Sequence, residues 1–337
     1  MTGLSFGRTL PLFFCAAACA ESSAVAPGAA SAERPLLDED DLMAMVPAEA
    51  DLVLWADVSK LRASPWTAES FAKVAPGGTT PVESGFEQIR DVDRLIFAKV
   101  PSLRDGASLL IAQGKIDREQ MAKAFAKDGA AVARSVYRGA DILSRGEESL
   151  AFVGKRTALS GLTLAVRSAI DCNFGVARTI ETESWFQRMR TGLFAGKASP
   201  STVVALYVRL QPATREALVQ ETGVGGSLEE LGGRIDLRDD LDATVNGAVR
   251  SESEARDLAA RLTEHIRDVR VRPIVAAFGF GSVLDSLRFQ AKDSRVQGTL
   301  HISAKERAEI SERMAVVADT IAKMRPPRSP SEEKKKP

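Results

Sequence analysis

The residues of this chain that could form a catalytic or metal site are few and lie far apart. Its two histidines, His265 and His301, belong to no H-x-x-x-H pattern and to no cluster of carboxylates and cysteines. A zinc site takes three or four nitrogen, sulfur or oxygen ligands, and no spacing here offers them. We therefore predict no metal and no cofactor. We expect His265 at the end of a helix, where a cation interacts favourably with the dipole, and His301 within a strand.

One nucleophile motif is present. Ser70 and Lys73 in "SFAK" match S-x-x-K, in which one helical turn brings the lysine amine to the serine hydroxyl. Neither the S-D-N nor the K-T-G motif follows, and Ser331 to Lys334 near the C-terminus has the same spacing. A hydrolase is therefore our third hypothesis, and we predict no catalytic residues.

The chain has three cysteines, Cys15, Cys19 and Cys172. The first two lie in the apolar N-terminal stretch, so only Cys172 belongs to the body and no internal disulfide can form there. We expect Cys172 to be a buried small hydrophobe at the end of a helix. A reactive thiol is the alternative.

Glycine-rich and acidic segments give no specific motif. "GVGGS" (Gly223 to Ser227) and "FGFGS" (Phe278 to Ser282) match no phosphate-binding pattern. The second lies in an apolar loop, Phe278–Leu284, which either packs in the core or forms a lid over an apolar pocket. The acidic clusters "DEDD" from Asp38 and "LRDDLD" from Leu237 lack the ligand order of a calcium loop, and we predict a helix start and a hairpin turn.

The N-terminus predicts export. Arg8, an apolar run and small residues form a signal peptide over residues 1–18. "AAAC" resembles a bacterial lipobox, which implies cleavage before Cys19 and acylation of its sulfur. "ACA" also fits ordinary cleavage after Ala20, which would give a soluble secreted protein, and a retained anchor or a cytosolic protein is the remaining alternative. We expect a lipid-anchored protein of the bacterial cell envelope, facing the periplasm.

Composition defines the two ends of the mature chain and excludes one partner class. Residues 19–41 are rich in Ala, Ser, Pro and Gly and predict a flexible tether, and residues 325–337 predict a disordered tail. Lys and Arg total 45 against 45 for Asp and Glu, so nothing favours nucleic acid, which requires a basic excess or patch.

Residues 42–182 and 199–324 carry the same predicted order of elements. Each reads strand, helix, hairpin, helix, hairpin, helix, which predicts an α+β body of two similar halves, each a mostly antiparallel sheet covered by helices. The first strand is assigned to Asp51–Ser64, and a helix is expected to start at Ser64. The boundary between the halves is assigned to residues 182–199. Helix caps are assigned to Asp117 and Ser251.

The opening of the body carries a family resemblance. "PAEADLVLWADVSKLRAS", from Pro47 to Ser64, resembles predicted secreted lipoproteins of Gram-negative bacteria, especially deltaproteobacterial types. These families are largely uncharacterised, so the resemblance implies placement and fold but no activity.

The resulting hypothesis is a non-catalytic envelope lipoprotein that acts as a binding or scaffold module. Its partners are the membrane, through acylated Cys19, and an envelope protein. The alternative is a carrier of an apolar ligand held between sheet and helices, with the Phe278–Leu284 loop near its mouth.

Overall fold

A computed structural model describes residues 41–67, 91–101, 103, 106–126, 131–194, 200–222, 226–271, 281–309 and 312. The predicted signal peptide, Cys19, nearly all of the tether, the Ser70/Lys73 pair, Phe278, Phe280 and the tail lie outside these residues. The chain forms two compact units: Met1–Ala56, Thr79–Arg188 and Tyr207–Gly226 make the first, and Asp57–Gly78, Met189–Leu206 and Ser227–Pro337 make the second.

The first unit is built on an antiparallel sheet whose strands follow the order β1-β2-β3-β7-β6-β5-β4. Every strand pair from β2 to β4 in that order is antiparallel. The strands are β1 (Leu52–Asp57), β2 (Val92–Val100), β3 (Ala107–Gly114), β4 (Ala133–Tyr137), β5 (Ala140–Arg145), β6 (Glu148–Val153) and β7 (Thr157–Leu162).

Helices cover this sheet on both faces. Arg118 of α2 (Arg118–Phe125) lies over the ring of Phe152, whereas Thr163 of α3 (Thr163–Asn173) hydrogen-bonds to Ser149 at 2.8 Å. Residues 149 and 152 of β6 point to opposite faces because successive strand side chains alternate. The sheet core is therefore shielded by α3 on one side and by α2 on the other.

The second unit contains a sheet in the order β11-β12-β10-β9-β8. Its strands are β8 (Thr202–Arg209), whose last three residues belong to the first unit, β9 (Glu230–Leu237), β10 (Leu241–Ala248), β11 (Arg288–Lys292) and β12 (Arg295–Ile302). The helices of the second unit are α1 (Val58–Ala63), α6 (Glu252–Arg270) and α7 (Gly281–Ser286). Two further helices are α4 (Ser184–Phe194), whose first five residues belong to the first unit, and α5 (Pro212–Thr222), which belongs to the first unit entirely. Residues 304–309 are helical.

The α+β class is confirmed, and so are several local predictions. Asp117 caps α2 through the Gln120 amide at 2.9 Å, and Ser251 caps α6 through the Glu254 amide at 3.2 Å. The strand assigned to Asp51–Ser64 is too long, because β1 ends at Asp57 and α1 begins at Val58.

The reason is a helix cap that the sequence analysis missed. The Asp57 carboxylate accepts hydrogen bonds from the Lys60 amide at 3.0 Å and from the Ser59 hydroxyl at 2.7 Å. An N-cap side chain that satisfies amides of the first turn stabilises the helix start. Ser64, predicted to start a helix, instead follows the last residue of α1.

The stretch left between the predicted halves contains α4. This helix buries Trp185, Phe186, Met189 and Leu193. In addition, the structure has a four-stranded meander, β4 to β7, in place of the second hairpin predicted for the first half. The orders β1-β2-β3-β7-β6 and β8-β9-β10-β12-β11 correspond strand by strand, and the duplication itself stays a prediction.

Candidate functional site

Cys172 is a buried residue of α3, as predicted. Its side chain is 1% exposed and its Sγ donates a hydrogen bond to the Arg178 carbonyl oxygen at 3.3 Å. Burial, with smaller contributions from the carboxylates of Glu49 and Asp171, raises the pKa of the thiol to about 12. A thiol that stays protonated and inaccessible is a poor nucleophile.

His301 lies on β12, as predicted, where it hydrogen-bonds to a carboxylate of β10 and lies near a second one in the β9–β10 turn. Its Nδ1 is 2.8 Å from Oδ1 of Asp242, and its Nε2 is 3.9 Å from Oδ2 of Asp240. The hydrogen bond to Asp242 raises the pKa of the exposed imidazole. Asp240 also accepts from the Ala304 amide at 2.8 Å, so this turn holds the start of the helical residues 304–309.

His265 does not end its helix, because α6 continues to Arg270. The favourable interaction with the helix dipole is limited to the last turn, so that predicted role is wrong. Within the described ranges, no group of three or more His, Cys, Asp or Glu side chains is arranged to hold a metal ion.

The feature with most potential for binding is an apolar sheet face in the second unit. The strand register places rows of side chains directly opposite one another: Ile235–Ala243–Leu300 is one row and Leu237–Leu241–Ile302 is the next. A third row is Gly233–Val245–Gly298. We call this set of β9, β10 and β12 residues the apolar face.

The centre of the apolar face is accessible. Val245 is 41% exposed, and Ile235 and Leu300 are half-buried. Val245 has a glycine as its direct neighbour on each side, so neither directly paired residue contributes a side chain that could cover it. Glycine inside a strand weakens packing and often marks the close approach of another group.

The two glycines differ in their surroundings. A Cβ atom at Gly298 would come within 2.9 Å of the Phe289 ring, which lies over that position. A Cβ atom at Gly233 would meet its nearest neighbour only at 3.8 Å. A side chain is therefore missing at Gly233, where a small group would make only ordinary van der Waals contacts, and an aromatic ring covers the Gly298 end of the same row.

The opposite face of the same sheet is polar and carries α4. The Asn246 side chain donates to the Gly192 carbonyl oxygen at 3.1 Å. Gly232 lies against Leu193, since a Cβ there would come within 2.9 Å of it. Thr244, whose side chain shares this polar face, is the neighbour of Val245 in sequence. In the second unit, α4 therefore packs on the polar face of the sheet.

Sequence reasoning predicted the hairpins that build the apolar face but not its exposure. Period-two alternation assigns Val245, Ala243 and Leu241 to one side of a strand. Whether another element covers that side depends on tertiary packing. The strand glycines Gly233 and Gly298, which flank Val245, were the sequence feature that could have indicated an open face.

No described helix is long and apolar enough to cross a membrane. No protein-family model and no curated protein matches this chain. Solved structures of TP0453 in crystal forms III and I match it with a TM-score of 0.48 and 10% identity over 80% of this chain and 96% of theirs. Crystal form IV gives a TM-score of 0.43 and 12% identity over the same shares. Likeness at this level establishes neither a relationship nor a function.

Proposed function

We propose that this chain is a non-catalytic lipoprotein of the bacterial cell envelope, anchored through acylated Cys19, that binds its partner with the apolar face. The sequence "AAAC" and the tether support the anchor. The burial of Cys172, whose Sγ bonds to the Arg178 carbonyl oxygen, and the hydrogen bond of His301 to Asp242 support roles of these two residues in packing and local structure.

The observation that carries the binding function is the 41% exposure of Val245 in the middle of a sheet. Fully burying a valine side chain contributes about 1.5–3 kcal/mol, so covering its exposed fraction contributes about 0.6–1.2 kcal/mol, or about three- to eightfold in Kd. Ile235, Leu237, Ala243 and Leu300 are half-buried and add to this gain. An apolar occupant is therefore favoured over a charged one.

A second candidate function is transport of an apolar ligand such as a single acyl chain. The missing side chain at Gly233 favours it, because a chain of methylenes can contact the sheet backbone there. Gly281 to Leu284, the end of the predicted mouth loop, form part of α7, which packs against β12. This places the described part of that loop beside a strand of the apolar face.

The anchor is tested by growing cells with an alkyne-tagged fatty acid and isolating the protein. Cys19→Ser abolishes labelling and releases the protein from membranes, whereas the matched variant Cys15→Ser remains labelled. A Cys19→Ser protein that stays membrane-bound would remove the lipid anchor from the proposal.

The apolar face is tested with dansyl-labelled undecanoic acid, whose fluorescence increases in an apolar site. Val245→Asp weakens binding of the probe about three- to eightfold through the lost methyl groups, and desolvation of the carboxylate weakens it further. Thr244→Asp, on the same strand but the opposite face, leaves the affinity unchanged. Equal effects of the two variants, with both folded by circular dichroism, would exclude the apolar face as the site. If the probe does not bind wild type, the carrier function is wrong.

A further inference from the structure

A second surface of potential interaction is β4, at the end of the strand order of the first unit. Within the described residues, β4 is paired along one edge only, with β5 in the register Ala133↔Ser144 to Tyr137↔Ala140. Residues 133–136 are all exposed, and Val136 is 70% exposed. An edge strand presents a row of backbone donors and acceptors that can pair with another chain.

Side-chain contacts with α3 hold the C-terminal end of β4 in place. The Tyr137 hydroxyl donates to the Asp171 carboxylate, with its oxygen 3.0 and 3.1 Å from the two carboxylate oxygens. The Arg138 and Arg167 guanidinium carbons lie 5.6 and 5.3 Å from the centre of the Tyr137 ring. Arg138 and Gly139 adopt φ values of +48° and +78°, which suit the tight turn into β5. A preordered edge loses little conformational entropy when a partner strand binds.

Charge around the edge favours an acidic partner. On the side of the sheet covered by α3, Arg138 forms an ion pair with Asp171, and Arg167 lies over the Tyr137 ring. Arg134 and Val136 share the other side, and no described carboxylate forms an ion pair with Arg134. Asp141, opposite Val136 on β5, lies 4.0 Å from Arg118 of α2. Among the described residues, Arg134, Arg138 and Arg167 at this edge therefore outnumber the carboxylates near them, Asp141 and Asp171.

We propose that β4 binds an extended acidic segment of a partner protein by adding it as an antiparallel strand. The partner places a Glu or Asp opposite Arg134 and an apolar, preferably β-branched, side chain opposite Val136. Backbone hydrogen bonds supply most of the affinity in this mode, and side chains at alternate positions supply the choice of partner.

Two peptides of opposite charge test this. Acetyl-TVTETV-amide, aligned antiparallel to β4, places valine opposite Val136 and glutamate opposite Arg134, and acetyl-TVTKTV-amide replaces the glutamate with lysine. In an NMR titration of the folded protein, the glutamate peptide shifts the amide signals of Ala133 to Tyr137 and binds about five- to tenfold more tightly than the lysine peptide. This ratio follows from exchanging an attractive cross-strand pair for a repulsive one.

A charge-reversal variant makes the test specific. Arg134→Glu inverts the preference, so that the lysine peptide binds more tightly. Arg288→Glu on β11, which ends the described strand order of the second unit, leaves the wild-type preference intact. Equal binding of the two peptides, shifts confined to other strands, or the same inversion with Arg288→Glu would each overturn the proposal. Concentration-dependent dimers that protect the β4 amides without peptide would assign the edge to a second copy of this chain instead.

Discussion

The buried thiol of Cys172 allows a quantitative test of the fold. With a pKa of about 12, about 10⁻⁴ of this thiol is ionised at pH 8. A free cysteine of pKa about 8.5 is about one quarter ionised there, so ionisation alone lowers reactivity roughly two thousandfold. A thiolate of higher pKa is intrinsically more nucleophilic, which restores about fortyfold at a Brønsted coefficient of about 0.45. The net reduction is about fiftyfold, before the 1% exposure of the side chain restricts access further.

The assay is the rate at which dithiodipyridine reacts with a chain in which Cys15 and Cys19 are replaced by serine. We expect native protein at pH 8 to react at least fiftyfold more slowly than the same chain in concentrated guanidinium chloride. The native rate rises about tenfold per pH unit from pH 8 to 11, as the thiolate fraction grows. Cys172→Ser removes the reaction in both states. A native rate within tenfold of the denatured rate would show that the thiol is accessible and would refute this account of α3.

The same thiol has a consequence for stability at high pH. Because the pKa of Cys172 is higher in the folded protein, folding favours the neutral thiol. Its contribution to stability is fully present below the pKa of the unfolded chain, about 8.5, and is lost as the pH rises toward 12. Cys172→Ser therefore makes the urea midpoint less sensitive to pH over this interval.

The remaining predictions concern the ends of β1 and the core. Burial alone would raise the pKa of Asp57, but hydrogen bonds from Ser59 and the Lys60 amide outweigh it and lower that pKa below 3.8. The ionised carboxylate therefore contributes to stability above pH 3.8, and this contribution is lost as the pH falls through the pKa of the folded state. Asp57→Asn should reduce the urea midpoint more at pH 7 than at pH 3. Burial raises the pKa of Asp51, so folding disfavours its charged form above pH 3.8, and Asp51→Asn should raise the midpoint at pH 7 but not at pH 3. Phe186→Ala should cost about 3–5 kcal/mol of unfolding free energy by urea titration, since its ring is 1% exposed and packs on Tyr207 at 4.7 Å; a loss below 1 kcal/mol would contradict the packing of α4.

Local rules predicted the elements whose ends are fixed by nearby residues. Asp117 and Ser251 start helices with the hydrogen bonds that their side chains predict. In each case, residues within four positions of the boundary carry the information, so it can be read from the sequence.

Prediction failed where residues close in sequence gave no clear signal or a conflicting one. "SWFQRM" from Ser184 reads as a short stretch between halves, but α4 is stabilised by burial of Trp185, Phe186 and Met189. At Asp57, the alternation of β1 competes with a helix cap, and the cap prevails because Ser59 and Lys60 follow at the required spacing. Tertiary burial and competing local hydrogen bonds therefore decide these two boundaries.

The two candidate binding surfaces have a common physical origin. Alternation determines which side chains share a strand face, and hairpins determine which strands pair, but neither determines whether the face or the edge is covered. Val245 and Val136 are both β-branched residues in strands, and the sequence gives them equal reason to be buried. Val136 is 70% exposed because β4 ends the strand order, whereas Val245 is 41% exposed on an inner strand because its face of the sheet is incompletely covered. Binding at either surface would cover a valine that folding leaves exposed, which is why Val245→Asp and Arg134→Glu separate the two functions without disturbing the core of either unit.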